Sequence, residues 1–251
     1  MPRLGALFAA YEPKIRRLPR RRPIDAPDLL RPSFRLQRDG RLEIYYAPMD
    51  WLRPGARIAI VGITPGKDTM LIAYQSAADG LAAGRTPASV LNEIKSKASF
   101  SGFRGLLVQW LDYLRVHRHL GLSSAAALWT AEGQRYLHPT SAIRYPVLIG
   151  GKNYSGRNPS IVRHPILERY VRDLLAPELA QIPDALIVPL GGAVEQALDL
   201  LISEGHIDAT RCLRGFPHPS GANGRKTAQW ASNKATLRRK TSSWFKAHPV
   251  S

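Results

Sequence analysis

The sequence predicts an α/β fold, a three-layer αβα sandwich around a mostly parallel central sheet. Three observations predict it. ARIAIVGITPG carries a short apolar run, Ile58, Ile60 and Val61, bounded by turn residues, the pattern of a strand buried on both faces. DALIVPLGGAVEQALDLLISEG reads as strand, glycine turn and helix. Strands and helical patterns also alternate along the chain, which places helices on both faces of a parallel sheet.

Taken in order, residues 1–40 are rich in Pro and Arg and read as a basic arm that wraps the domain or contacts nucleic acid. Residues 41–251 read as a single α/β domain. LEIYYAP (Leu42–Pro48) is a strand, followed by the buried strand at 58–61 and a tight GITPG loop. Residues 70–98 are helical in pattern. GFRGLLVQWLDYLRVHRHL is an amphipathic helix, with Leu106, Leu107, Trp110, Leu111 and Leu114 at helical spacing. A second short strand ends near Thr140–Ile143. PILERYVRDLLAPEL is a helix, CLRGF a last strand, and AQWASNKATLRRKTSSWF a final basic helix.

Composition narrows the function. The chain has 251 residues, 44% of them hydrophobic, enough for a core. Its 36 Lys and Arg against 19 Asp and Glu give +17, which favours a polyanion, nucleic acid first and an anionic membrane surface second. Cys212 is the single cysteine, so no intramolecular disulfide, cysteine-ligated cluster or Cys-rich zinc site is expected. A reducing, cytoplasmic location fits. The N-terminus places its apolar patch ahead of its charges, the reverse of a secretory signal, and Glu12 and Asp25 weaken a transit-peptide reading. His117 and His119 lie two apart on a helix, on different faces, so no metal is expected there. KNYSG matches a glycosylation acceptor only formally in such a protein.

In parallel sheets the binding crevice lies at the carboxyl ends of the strands. Both GITPG and HPSGANG follow strands, so the topology brings them to one edge. In this order the segments resemble the uracil-DNA glycosylase superfamily. GITPG (Gly62–Gly66) is similar to that family's first motif. SFSGFRGLLVQWLDYL (Ser99–Leu114) is similar to the segment whose Phe stacks on an extruded base. VPLGGAVEQAL (Val188–Leu198) resembles its penultimate strand–turn–helix, and HPSGANG (His218–Gly224) its second active-site motif. The resemblance covers about residues 55–245 and implies a uracil-DNA-glycosylase-like three-layer fold that binds DNA, flips out a base and leaves an abasic site.

It also implies roles. His218, Thr64 and Asp68 are the catalytic candidates. Phe100, Ser141, Gly62, Ile63, Ser220 and Asn223 would hold the base. Lys67, Arg104, Lys152, Arg225 and Lys226 would contact phosphates, with Arg157, Arg238, Arg239 and Lys240 as further cations. Two positions depart from the family. Thr64 stands where it carries Asn, Asp or Glu, and a hydroxyl is no base near neutral pH. Ser141 stands where an Asn reads the base edge. Both point away from plain uracil and toward a modified base. The superfamily admits a role in phage defence, with glucosylated hydroxymethylcytosine as one substrate, and a cytosine-type leaving group would require a protonated His218.

Other roles weigh against these. Asp68 also reads as a helix N-cap, Phe100 as core, His218 as a structural loop residue and Ser141 as a strand-end cap. No lysine stands in the catalytic loops as a Schiff-base nucleophile, so a monofunctional enzyme is expected. No cofactor, metal, membrane or obligate protein partner is expected. Repair of uracil or a damaged base, and a catalytically silent DNA-binding module, are the alternatives. A phosphate loop at GITPG is weaker, lacking both the Walker lysine and GxGxxG.

Overall fold

The computed structural model describes residues 6–250. The first five residues of the expected arm, and Ser251, lie outside the described residues. The protein is mixed α/β. The order is α1 (Ala6–Arg16), α2 (Ala26–Leu29), β1 (Arg35–Asp39), β2 (Leu42–Tyr45), β3 (Ile58–Gly62), α3 (Lys67–Ala82), α4 (Pro87–Ala98), α5 (Arg104–Tyr113), α6 (Val116–His119), β4 (Leu137–Ser141), β5 (Val147–Ile149), β6 (Lys152–Asn153), α7 (Pro165–Tyr170), a π turn (Val171–Leu175), α8 (Ala176–Ala180), β7 (Leu186–Pro189), α9 (Gly192–Ser203) and α10 (Lys226–Ala247).

β3 is the centre of a parallel three-stranded sheet, β4–β3–β7. Every residue of β3 is buried, which is why its sequence is continuously apolar and not alternating. Its side chains still alternate between two cores. Ile58 and Ile60 join Leu137, Leu186 and Val188 with Leu107, Trp110 and Leu111 of α5 and Leu237, Trp244 and Phe245 of α10. Ala59 and Val61 join Ile187 with residues of α1, α3, α4 and α9. Helices therefore cover both faces of the sheet.

Several expectations are corrected. LEIYYAP forms the expected strand only over Leu42–Tyr45, and β2 lies in a separate antiparallel sheet, β1–β2–β5–β6. The CLRGF strand is reduced to one parallel bridge, Ile187 to Cys212. The helical pattern over 70–98 breaks at Gly84, whose φ of +72° ends α3. Thr86 then caps α4 by accepting from the Ser89 amide, with Pro87 at the first helical position. The pattern over 104–119 breaks at Arg115, φ +61°.

The described part of the arm packs on the domain. Phe8, Ile15, Leu18, Ile24, Leu29 and Phe34 are buried in the main core. The boundary placed at residue 40 falls within the β1–β2 hairpin, where Asp39 pairs with Leu42.

Candidate active site

A cleft of about 950 Å³ opens where β3 and β4 end. GITPG, the 99–103 segment, the glycine turn before α9 and the GFPHPSGAN stretch all line it. Among the sequence candidates, Gly62, Ile63, Thr64, Asp68, Phe100, Ser141, His218, Ser220 and Asn223 come together there. Lys67, Arg104, Lys152, Arg225 and Lys226 are not among its lining residues.

The inner wall is built on a glycine. A Cβ added to Gly62 would stand 3.1 Å from the Phe100 ring and 3.5 Å from Ser141 Oγ. Gly62 and Ser141 are also register partners across β3 and β4. The missing side chain thus lets an aromatic face and a strand-end hydroxyl meet over bare backbone. Phe100 sits there at φ +58°, a left-handed conformation that costs a bulky residue about 1 to 3 kcal/mol. Its ring lies 5.7 Å from Phe103, and Phe103 lies 5.3 Å from the His218 imidazole. Ser141 hydroxyl has no hydrogen-bond partner among the described residues, so it does not cap its strand.

His218 is positioned by its neighbours. Phe216, two residues before it, packs edge-on against Trp110 and Trp230 at 5.6 and 5.7 Å. Gly191, at φ +86°, lets the loop approach: a Cβ there would meet His218 Cβ at 3.0 Å. The Ser220 amide donates to His218 Nδ1 at 3.2 Å. Nδ1 is therefore the acceptor, and the neutral ring carries its hydrogen on Nε2, which has no protein partner among the described residues. Burial pushes the imidazole down to about 4. The protonated His218 expected for a cytosine-type leaving group is thus disfavoured; the ring is a neutral N–H donor near pH 7.

Other assignments change. Thr64 Oγ1 donates to the Tyr145 carbonyl at 2.7 Å and accepts from the Val147 amide at 3.1 Å. Its one proton is committed, so it braces the parallel sheet to β5 and can offer a water only an acceptor. Asp68 is exposed in the first turn of α3, but the N-cap is Gly66. Asn223 does not present its amide to a base. It donates to the His218 carbonyl at 3.1 Å and to Gln229 at 2.9 Å, and accepts from the Arg225 amide at 3.2 Å.

Arg104 is not free for phosphate. It donates to the carbonyls of Ser96, Lys97 and Ser99 at 2.7 to 3.0 Å and closes the end of α4. Lys67 Nζ donates to the Gly151 carbonyl at 3.1 Å. Lys152 and Arg225 are exposed, and Lys226 is half-buried. Of the expected metal-free histidines, His117 Nδ1 lies 2.9 Å from Asp112 and His119 stacks on Phe245. No group of three His, Cys, Asp or Glu that could hold a metal occurs among the described residues.

Sequence reasoning missed a buried charge cluster behind the cleft. Glu178, 1% exposed, lies 2.6 Å from His138 Nε2, 2.8 Å from Arg144 and 3.7 Å from Lys95 Nζ. Burial alone would raise the Glu178 carboxyl, but Arg144, Lys95 and His138 outweigh it and hold it well below its usual range. Burial lowers Lys95 to about 8, partly offset by Glu178, and lowers His138 to about 4. Lys95 and Arg144 both reach the cleft wall, and Lys95 also donates to the Pro139 carbonyl at 2.8 Å. The buried hydroxyls of Ser99 and Thr140 have no hydrogen-bond partner among the described residues. A signal existed: Leu91, Ile94, Lys95 and Ala98 share the apolar stripe of α4, so a lysine stands at a core position.

No family profile matches the chain, and no solved structure does. Over 220 residues it is 40% identical to a Bacillus subtilis (strain 168) protein called uncharacterized protein YoxB, covering 86% of each chain. At that identity and coverage, the chain belongs to the same family as YoxB.

Proposed function

We propose that the protein is a uracil-DNA-glycosylase-like enzyme of the cytoplasm that extrudes a modified base from DNA and hydrolyses its glycosidic bond, leaving an abasic site. The observation that carries this reading is the pairing of a strained Phe100 with a neutral, donor-ready His218 across one cleft. Base extrusion costs a few kcal/mol, and stacking on an aromatic ring returns about 1 to 3 kcal/mol. As the bond to the sugar breaks, the electron pair passes to the leaving base. His218 Nε2–H then donates to an oxygen of that base where charge collects, an electrostatic stabilisation in a partly dehydrated site.

Water activation is assigned to Asp68, a carboxylate in the cleft lining, because the Thr64 hydroxyl is no base near neutral pH. The carboxylate takes a proton from water that adds to the sugar cation. The wide cleft supports a base larger than uracil, and a hypermodified phage pyrimidine fits that size. A second reading has its own observation. Thr64 leaves no base at the position where the resemblance expects one, which favours a DNA-binding module that does not cut.

The test is abasic-site formation, read by alkali cleavage. The panel is duplexes bearing uracil, hypoxanthine, hydroxymethyluracil or hydroxymethylcytosine, and phage DNA with and without glucosylation. Cleavage of one modified substrate, abolished by His218→Ala, is the expected result. Salt-sensitive binding with no cleavage on any substrate selects the silent module.

A further inference from the structure

A second basic surface lies at the far end of the α3–α4 hairpin. Gly66 before α3 and Ser99 after α4 line the cleft, so the turn at 83–86 that joins the helices stands away from it. α3 has 16 residues, which at about 1.5 Å each puts that end about 24 Å from the cleft. Arg16 docks there, with Nη1 donating to the Leu81 carbonyl at 3.1 Å. It belongs to KIRRLPRRR (Lys14–Arg22), a run broken only by Ile15, Leu18 and Pro19.

Half of these cations are engaged. Lys14 donates to the Ser33 carbonyl, Arg16 pairs with Glu12, and Arg22 pairs with Asp25 and Asp28. Arg17, Arg20 and Arg21 are exposed, and none meets a carboxylate among the described residues. Arg20 reaches only the Arg16 carbonyl, at 3.4 Å. The acid near the end of α3, Asp79, accepts from Gln75. The backbone beneath is pinned, because Ile15, Leu18 and Ile24 are buried in the core and Pro19 and Pro23 fix their φ angles.

We propose that Arg17, Arg20 and Arg21 form a second nucleic-acid-binding surface, which takes the phosphate backbone of a DNA segment other than the one at the cleft. Three exposed guanidinium groups that meet no carboxylate among the described residues present positive charge on a held backbone, and the planar fork of arginine matches phosphate oxygens. A membrane-binding segment would turn its apolar side chains outward between the charges; here they point into the core. Duplex DNA is stiff over about 150 base pairs, so one short duplex seated at the cleft does not turn back over about 24 Å of protein. The surface therefore bridges two segments. This holds whether the cleft cuts DNA or only binds it.

The test uses a bead-bound duplex, a free labelled duplex and the full chain. Wild-type protein is expected to retain the label on the beads at low salt. R17A/R20A/R21A is expected to lose that retention by at least tenfold with an unchanged melting temperature. It should still bind a single short duplex at the cleft, with the slope of log affinity against log salt unchanged, because that duplex does not touch the three arginines. The triple lysine variant should restore most of the retention. Unchanged retention in the alanine variant would overturn the proposal, as would tighter capture by phosphatidylserine vesicles than by DNA. A single-duplex slope reduced by about 2 to 3 would also overturn it, putting cleft and arginines on one duplex. Retention without abasic sites on any substrate would count against base excision alone; abasic sites without retention would count against the bridge alone.

Discussion

The two loops that face each other across the cleft use their polar groups in opposite ways. In GITPG the Thr64 hydroxyl is bonded on both sides, to Tyr145 and Val147, and ties the parallel sheet to the antiparallel one. In HPSGANG the bonds run inward, from Ser220 and Asn223 to His218, and leave one imidazole nitrogen unpartnered. One loop is a brace and the other holds a reactive group in place. A motif's position therefore does not fix its job; what its side chain is already bonded to does. The comparison separates two outcomes of mutation. Changes on the brace side should lower stability, and changes on the His218 side should lower turnover.

The largest expected effect is on the brace side, beneath the cleft. Glu178→Ala removes the acid that faces Lys95, Arg144 and His138. Leaving buried cations without their counter-charge costs about 3 to 5 kcal/mol. Urea denaturation at pH 7 should show that loss, and a loss under 1 kcal/mol would mean water already reaches the cluster.

His218→Ala comes next. Losing one preorganised donor to a developing anion lowers turnover about 100- to 1,000-fold, with DNA affinity nearly unchanged. Single-turnover kinetics would check it, and a loss carried by affinity instead would make His218 a binding residue. pH sharpens the same contrast. His218 and His138 are pushed from 6.5 to about 4 by burial, so the unfolded chain binds more protons than the folded one between those values. Stability should be full above about pH 6.5 and fall toward pH 4. His218→Gln should flatten that slope in part, with His138 supplying the rest. A slope identical to wild type would show that His218 is not held neutral by the fold.

The central strand, the strand–turn–helix at 186–203 and the meeting of GITPG and HPSGANG at one cleft were legible because each is written in local pattern. Continuous apolar β3, glycines before α9 and helical spacing in α5 need no partner to be read. The antiparallel sheet was not legible: Val147–Ile149 and Lys152–Asn153 are too short for a periodic signal, and β2 pairs with β5 across a hundred residues of chain. The site divided the same way. His218 was readable by type and setting, whereas Phe100 entered only through the resemblance. The engagement of Thr64, Asn223 and Arg104 depends on carbonyls and amides whose positions only the folded backbone supplies. Glu178 and His138 were missed because a polar residue on an apolar face looks like noise until its partners are known.

The smallest effect tests the brace directly. Thr64→Val keeps shape but removes the donor to Tyr145 and the acceptor for Val147. The Tyr145 residue is buried, so its carbonyl gains no water in exchange, and the cost is about 1 to 3 kcal/mol. Turnover per folded molecule should stay within about twofold, since the hydroxyl proton never faced the substrate. Thr64→Ser retains both bonds and should recover stability. If Thr64→Val instead kept its stability and lost turnover, the hydroxyl would be holding the water. The two loops would then share the chemistry, and the division between brace and reactive group would move from the loops to the residues within each.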